Sequence, residues 1–308
     1  MTTEIRADVS AFLALVNSMP KPDFATVTSE TMRSMNVAMI QLAEADAKPV
    51  AVIENLEIPG PAGIIPARRY DVRETREPGP VMVFYHGGGF VIGTLDTYEA
   101  YCTEAARALD IPVISIDYRL APEHKWPAAA DDCEAATRWI AENIACTGLV
   151  TSGDSAGGNL AVVTTMALRD KPAAVPVIAQ FPIYPVVADH DDFASFRDHG
   201  DGKLLTADVM IYFTKAYAAE KGHVRSAPLG FDHSGMPPTL IITAGLDPLR
   251  DQGRAYAGAL IAAGVPTIYR EAVGNIHGFI NLRKAIPSGQ QDIAGALAVL
   301  KAMIAENG

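Results

Sequence analysis

One serine constrains this chain more than any other residue. Gly153-Asp154-Ser155-Ala156-Gly157-Gly158 follows a short apolar run, Gly148 to Thr151, and precedes a helical stretch, Asn159 to Leu168. The pattern predicts strand, sharp turn and helix, with Ser155 at the apex, where its hydroxyl stands clear of a sheet. Such a turn has no room for β-carbons on both sides, which is the use of Gly153 and Gly157. The N-terminus of the following helix presents free N–H groups to the same spot, a setting suited to developing negative charge.

A second motif points the same way. Val81 to Tyr85 reads as a buried strand, and His86-Gly87-Gly88-Gly89-Phe90 follows at once. Three successive glycines are entropically costly, so the loop needs bare backbone. The bland role is a tight loop closing a strand; the chemical one is a set of N–H donors converging on an oxyanion, with Gly87, Gly88 and Gly89 as candidates. His86, at the start of the loop, reads as a residue that fixes the loop's shape, not as a base.

A serine nucleophile needs a base, and the base an orienting acid. Of seven histidines, His124 lies in a Pro-rich turn, and His190, His199, His223 and His233 lie in polar stretches and read as solvated. His277 follows the strand-like Thr267 to Arg270 and is flanked by Ile276, Gly278 and Phe279. It is the base candidate. Asp247 follows the apolar run Thr239 to Thr243 and is the acid candidate. Asp251 is the rival; four residues on, it falls in the next helix as a solvated or helix-start charge. The chain order Ser155, Asp247, His277 is that of an α/β-hydrolase.

These motifs, with Asp117 to His124 and the Asp247-Pro248-Leu249-Arg250-Asp251 stretch, run in order from about residue 80 to 280. Together they resemble the hormone-sensitive-lipase-like esterases, a branch of the α/β-hydrolases. The resemblance implies Ser155 as nucleophile, His277 as base and Asp247 as acid. It implies oxyanion donors on the glycine loop and Ala156, and a serine carboxylesterase acting on short- to medium-chain esters without a cofactor. An amidase, lactonase or carbamate hydrolase on the same triad is the alternative, followed by a non-catalytic small-ligand receptor of this fold. Two departures stand out: Gln252 where an acid is frequent, and Asn275 where an apolar residue is common.

The remaining patterning agrees. Apolar runs at 81–85, 111–116, 148–151, 176–181, 239–243 and 266–269 alternate with helical stretches, which predicts an α/β architecture with a mostly parallel sheet covered by helices on both faces. Residues 46–187 and 224–308 form the expected catalytic domain. Outside the alternation lie two helices in residues 1–45 and a polar, irregular insertion at 188–223, which the resemblance makes a cap. Met32, Met35 and Met39 recur at helical spacing; they fit a helix face packed on the core, and secondarily a pliable pocket wall. Met35 and Met39, with Phe90, Tyr184 and Ile276, are the candidate substrate contacts.

The formal net charge of -11 argues against nucleic acid and anionic membrane as partners. Cys102, Cys133 and Cys146 are too few and too scattered for a disulfide framework or metal knuckle. Asp189-His190-Asp191-Asp192 reads as a solvated loop, and no metal is expected. No apolar run approaches the length of a membrane span. Glu4 and Asp8 precede a run of only six apolar residues, unlike a secretion signal, so a cytoplasmic protein is expected. Oligomeric state is left open, a homodimer being one outcome.

Overall fold

The computed structural model describes residues 4–189 and 193–307. Its frame is an eight-stranded sheet: β1 (Val52–Gly60), β2 (Gly63–Asp71), β3 (Gly79–Tyr85), β4 (Val113–Ile116), β5 (Cys146–Asp154), β6 (Val177–Ile183), β7 (Thr239–Leu246) and β8 (Thr267–Ile276). The spatial order is β1-β2-β4-β3-β5-β6-β7-β8. From β4 to β8 all neighbours are parallel, whereas β1 pairs antiparallel with β2, and β2 with β4.

Side chains of β3 alternate between two cores, as a strand covered on both faces must. Met82 and Phe84 face one core, shared with α3 (Leu95–Leu109) and α9 (Pro287–Asn307); Val81, Val83 and Tyr85 face another, shared with α4 (Ala128–Asn143) and α5 (Ala156–Asp170). Outside this frame lie α1 (Ala7–Ser18), α2 (Ser29–Ala43), α6 (Ala194–His199) and α7 (Ala207–Tyr217), while α8 (Arg250–Ala262) follows β7. Among the described residues no helix is long and apolar enough to cross a membrane.

Two expectations are corrected. The β1–β2 hairpin is absent from the runs expected at the sequence level, because a half-exposed edge pair carries no continuous apolar run. Ile53 and Ile64 are exposed, while Ile58 and Ile65 are buried. The 188–223 insertion is not irregular: it contains α6 and α7. Thr206 caps α7 by accepting from the Val209 N–H, a helix-start signal present in the sequence. Of the Asp189–Asp192 run only Asp189 is described; His190, Asp191 and Asp192 lie outside the described residues.

Candidate active site

Three strand ends carry the candidate chemistry. Ser155 lies between the end of β5 and the start of α5, with φ 56° and ψ -116°. This is a conformation a non-glycine residue holds only when its surroundings impose it. The crowding shows why. A β-carbon on Gly157 would lie 1.9 Å from the Tyr85 carbonyl oxygen, and one on Gly153 would lie 2.3 Å from the Gly157 carbonyl oxygen. Ala156 is the first residue of α5, so its N–H has no acceptor within the helix.

Asp247 follows β7 and His277 follows β8. Their side chains meet: His277 Nδ1 lies 2.7 Å from Asp247 Oδ2. Asp247 Oδ1 accepts from the Leu249 N–H at 2.8 Å, so both carboxylate oxygens are held and the group is fully buried. Asp251 is turned elsewhere. It accepts from the Ser195 N–H at 2.9 Å and pairs with Arg250 and Arg254, tying α6 to the start of α8. Gln252 ties the same region: its Oε1 accepts from the Val187 and Ala188 N–H groups, both at 3.0 Å. Asn275 is buried and donates to Asp292, away from Asp247.

The glycine loop follows β3. Gly88 and Gly89 adopt φ of 114° and 60°, so the conformation calls for glycine. The Gly88 carbonyl accepts from Val91 N–H at 3.0 Å and from Ile92 N–H at 2.9 Å, which closes the loop as a turn. His86 is fully buried and donates from Nδ1 to the Gly87 carbonyl at 2.7 Å. Burial pushes its imidazole down to about 4, so it stays neutral and shapes the loop. Gly87 is a correction: its N–H already donates to Asp154 Oδ1 at 2.6 Å and is not available to an oxyanion.

Ser155, His277, Gly88, Gly89 and Phe90 line one cavity of about 480 Å³. Its far walls come from α1, α2, α7 and the segments flanking α7. Met32, Met35 and Met39 all border it, so the methionine face of α2 is a cavity wall, and Met39 also packs against the cluster that holds α1. Tyr184 and Ile276 do not border it, which corrects their assignment as substrate contacts. Ile276 is buried against Val9, Phe12 and Leu13 of α1. Tyr184 lies behind His277, ring centroids 4.4 Å apart, with its hydroxyl on Asp154. Leu204, Val209, Met210 and Phe213 also line the cavity; no motif marks them, because their place depends on how the outer helices fold back. His233, expected to be solvated, is buried edge-on against Tyr256.

Asp154 is a buried carboxylate beside Ser155 that sequence reasoning left without a role. It accepts from Gly87 N–H, from Tyr98 OH at 3.1 Å and from Tyr184 OH at 3.3 Å. Burial raises its carboxyl to about 6, partly offset by the nearby His277 and these donors. The folded chain therefore binds this proton more tightly than the unfolded chain, whose carboxyl titrates near 3.8. The group favours the fold at low pH, and that contribution is lost as pH rises from about 4 through about 6. Asp154→Asn keeps an acceptor for Gly87 and abolishes the titration. The melting-temperature difference, variant minus parent, should grow more positive between pH 4 and 7. A difference that does not move with pH would show that Asp154 is not the buried titrating group.

Comparisons with known proteins identify the fold and the family. A family model described as alpha/beta hydrolase fold matches residues 82–281. Esterase LipI of Mycobacterium tuberculosis is 36% identical over 264 residues, covering 82% of each chain. Carboxylic ester hydrolase LipN of the same organism is 43% identical over 249 residues, 75% of this chain and 65% of LipN. Among solved structures, the ester hydrolase EH1AB1 from the metagenome of Lake Arreo, complexed with a derivative of bipyridine phosphonate, superposes with a TM-score of 0.91. It is 38% identical over 97% of this chain and 98% of that one. With well over half of its residues inside one family model and with such relatives across most of its length, the chain belongs to the hormone-sensitive-lipase-like esterases of the α/β-hydrolase superfamily.

Proposed function

We propose that this protein is a serine carboxylesterase that cleaves short- to medium-chain esters through an acyl-enzyme. The observation that carries the reading is the 2.7 Å His277–Asp247 pair, whose histidine lines the same cavity as Ser155, Gly88 and Gly89. Asp247 accepts the Nδ1 proton of His277, which leaves Nε2 as the proton acceptor. Ser155 Oγ attacks the ester carbonyl as His277 takes its proton. The N–H groups of Gly88, Gly89 and Ala156 stabilise the tetrahedral oxyanion, in which charge develops that the ground-state carbonyl lacks. His277 then protonates the departing alcohol, and water releases the acyl group by the same steps in reverse roles.

Residues 1–45 and 188–223 act as a cap over a catalytic domain of 46–187 and 224–308. This reading is supported by the cavity walls that α1, α2 and α7 supply. A capped cavity of finite depth rejects a chain it cannot bury. Soluble aryl esters with acyl chains of roughly two to eight carbons should therefore be the faster substrates. Rates across a graded series, from acetate to palmitate, test this. Faster hydrolysis of emulsified long-chain triglyceride than of soluble butyrate esters would overturn the capped-pocket reading.

A further inference from the structure

The donors of the oxyanion loop are aimed only while the Gly88–Ile92 turn keeps its shape, and two outer helices grip that turn. Arg33, on α2, donates from Nε to the Val91 carbonyl at 2.9 Å and from Nη2 to the Ala121 carbonyl at 3.0 Å. The Ala121 N–H donates in turn to the Phe90 carbonyl at 2.8 Å. One guanidinium thus joins the turn to the neighbouring segment that also holds it. Glu123 fixes the guanidinium plane with two further bonds, at 2.9 and 2.6 Å, a fork-to-fork pairing that sets orientation as well as attraction.

The other side of the turn is held by α7. A β-carbon at Gly89 would lie 2.2 Å from the Phe213 ring. Phe90 sits at φ 62°, and its ring stacks on Tyr217 with centroids 3.8 Å apart and planes within 7°. A non-glycine residue in that region is held there by its neighbours. The loop is therefore clamped between α2 and α7, and Arg33 is the polar half of the clamp. Arg33 does not border the cavity, so it has no direct hold on substrate.

We infer that Arg33 is a positioning residue for the oxyanion loop: it contacts no reacting atom and sets turnover by holding the turn that aims the Gly88 and Gly89 N–H groups. The inference rests on the esterase reading of the cavity.

Steady-state kinetics on a soluble butyrate ester test it, with melting temperatures for the parent, Arg33→Met, Arg33→Lys and Glu123→Gln. Loss of one oxyanion donor is worth about 100- to 1,000-fold, and a loosened loop should lose less. Arg33→Met should lower kcat about ten- to a hundredfold with KM within about twofold. Arg33→Lys supplies a point charge that cannot bridge both carbonyls, so it should fall in between. Glu123→Gln leaves the two carbonyl contacts but loses half of the fork that orients the guanidinium, so it should lose less kcat than Arg33→Met. A trifluoromethyl ketone, which adds to Ser155 and presents an oxyanion, should weaken as an inhibitor of Arg33→Met by the factor lost in kcat/KM.

The inference is overturned by parental kcat in either Arg33 variant or by a loss confined to KM. If Arg33→Met does not fold, Arg33→Lys at parental melting temperature decides by the same kcat criterion. A parent chain that neither turns over esters nor reacts with a fluorophosphonate would instead overturn the esterase reading itself.

Discussion

Ser155→Ala should abolish ester turnover, by roughly 10⁵- to 10⁶-fold in kcat, while leaving the fold in place. The substitution removes one hydroxyl and keeps the β-carbon, so the backbone at φ 56° is as crowded as before. Gly153 and Gly157 still supply the space the turn needs. The melting temperature should therefore move by no more than a few degrees. The residual activity should exceed that of water alone, because oxyanion donors and binding act without the nucleophile. Two measurements separate lost chemistry from lost structure: kcat with a soluble aryl ester, and labelling by a fluorophosphonate, which should mark the parent and not the variant. Undiminished turnover in folded Ser155→Ala would remove Ser155 as the nucleophile.

The parts of the site legible in the sequence are those whose geometry is local. The elbow is written in consecutive residues because the crowding at Ser155 arises within one turn. The glycine loop is equally local, and so is the position of Asp247 and His277 just past their strands. Asp154 was visible in its motif, but its role was not: its donors, Tyr98 and Tyr184, lie 56 and 30 residues away. Gly87 illustrates the opposite error. The motif reads as three equivalent glycines, yet Asp154 takes the first N–H, leaving the next two with the conformations of a turn. Arg33 had no sequence signal at all. It meets the loop across 58 residues, and an arginine on a helix face reads as solvated until its partners are known.

The fold shows the same division. Buried parallel strands announce themselves as continuous apolar runs, so β3 to β8 were anticipated. The β1–β2 hairpin needed a different reading: Val52, Leu56 and Ile58 fall on one face at period two, followed by Gly60-Pro61-Ala62-Gly63 as the turn. Of the outer helices, α1 and α2 match the two expected in residues 1–45, whereas α6 and α7 go unmarked, since Val209, Met210 and Phe213 of α7 take their place only from the cavity they line. Met32, Met35 and Met39 serve both ends. Their spacing is that of a packed helix, and only the fold-back of α2 over Ser155 makes them a wall.

The choice between Asp247 and Asp251 gives the second large expected effect. Asp247→Asn preserves size and shape, but its amide has one acceptor and one donor end. The Leu249 N–H, 2.8 Å from Oδ1, demands the acceptor there. The amide NH₂ then faces His277 Nδ1, which must accept, and the imidazole proton moves to Nε2. That tautomer cannot take a proton from Ser155. In a serine protease the same substitution costs about 10⁴-fold, which serves as the upper guide for kcat here. Asp251→Asn meets different neighbours. It weakens the bond to the Ser195 N–H and the pairs with Arg250 and Arg254, loosening α6 from α8 without reaching His277. Its effect should be roughly 1 to 2 kcal/mol of stability and less than about tenfold in kcat. Measuring kcat and melting temperature for both variants separates orienting the base from bracing the helices. A crippled Asp251→Asn beside a nearly active Asp247→Asn would mean that the buried pair at 2.7 Å is structural and that the working acid is the other carboxylate.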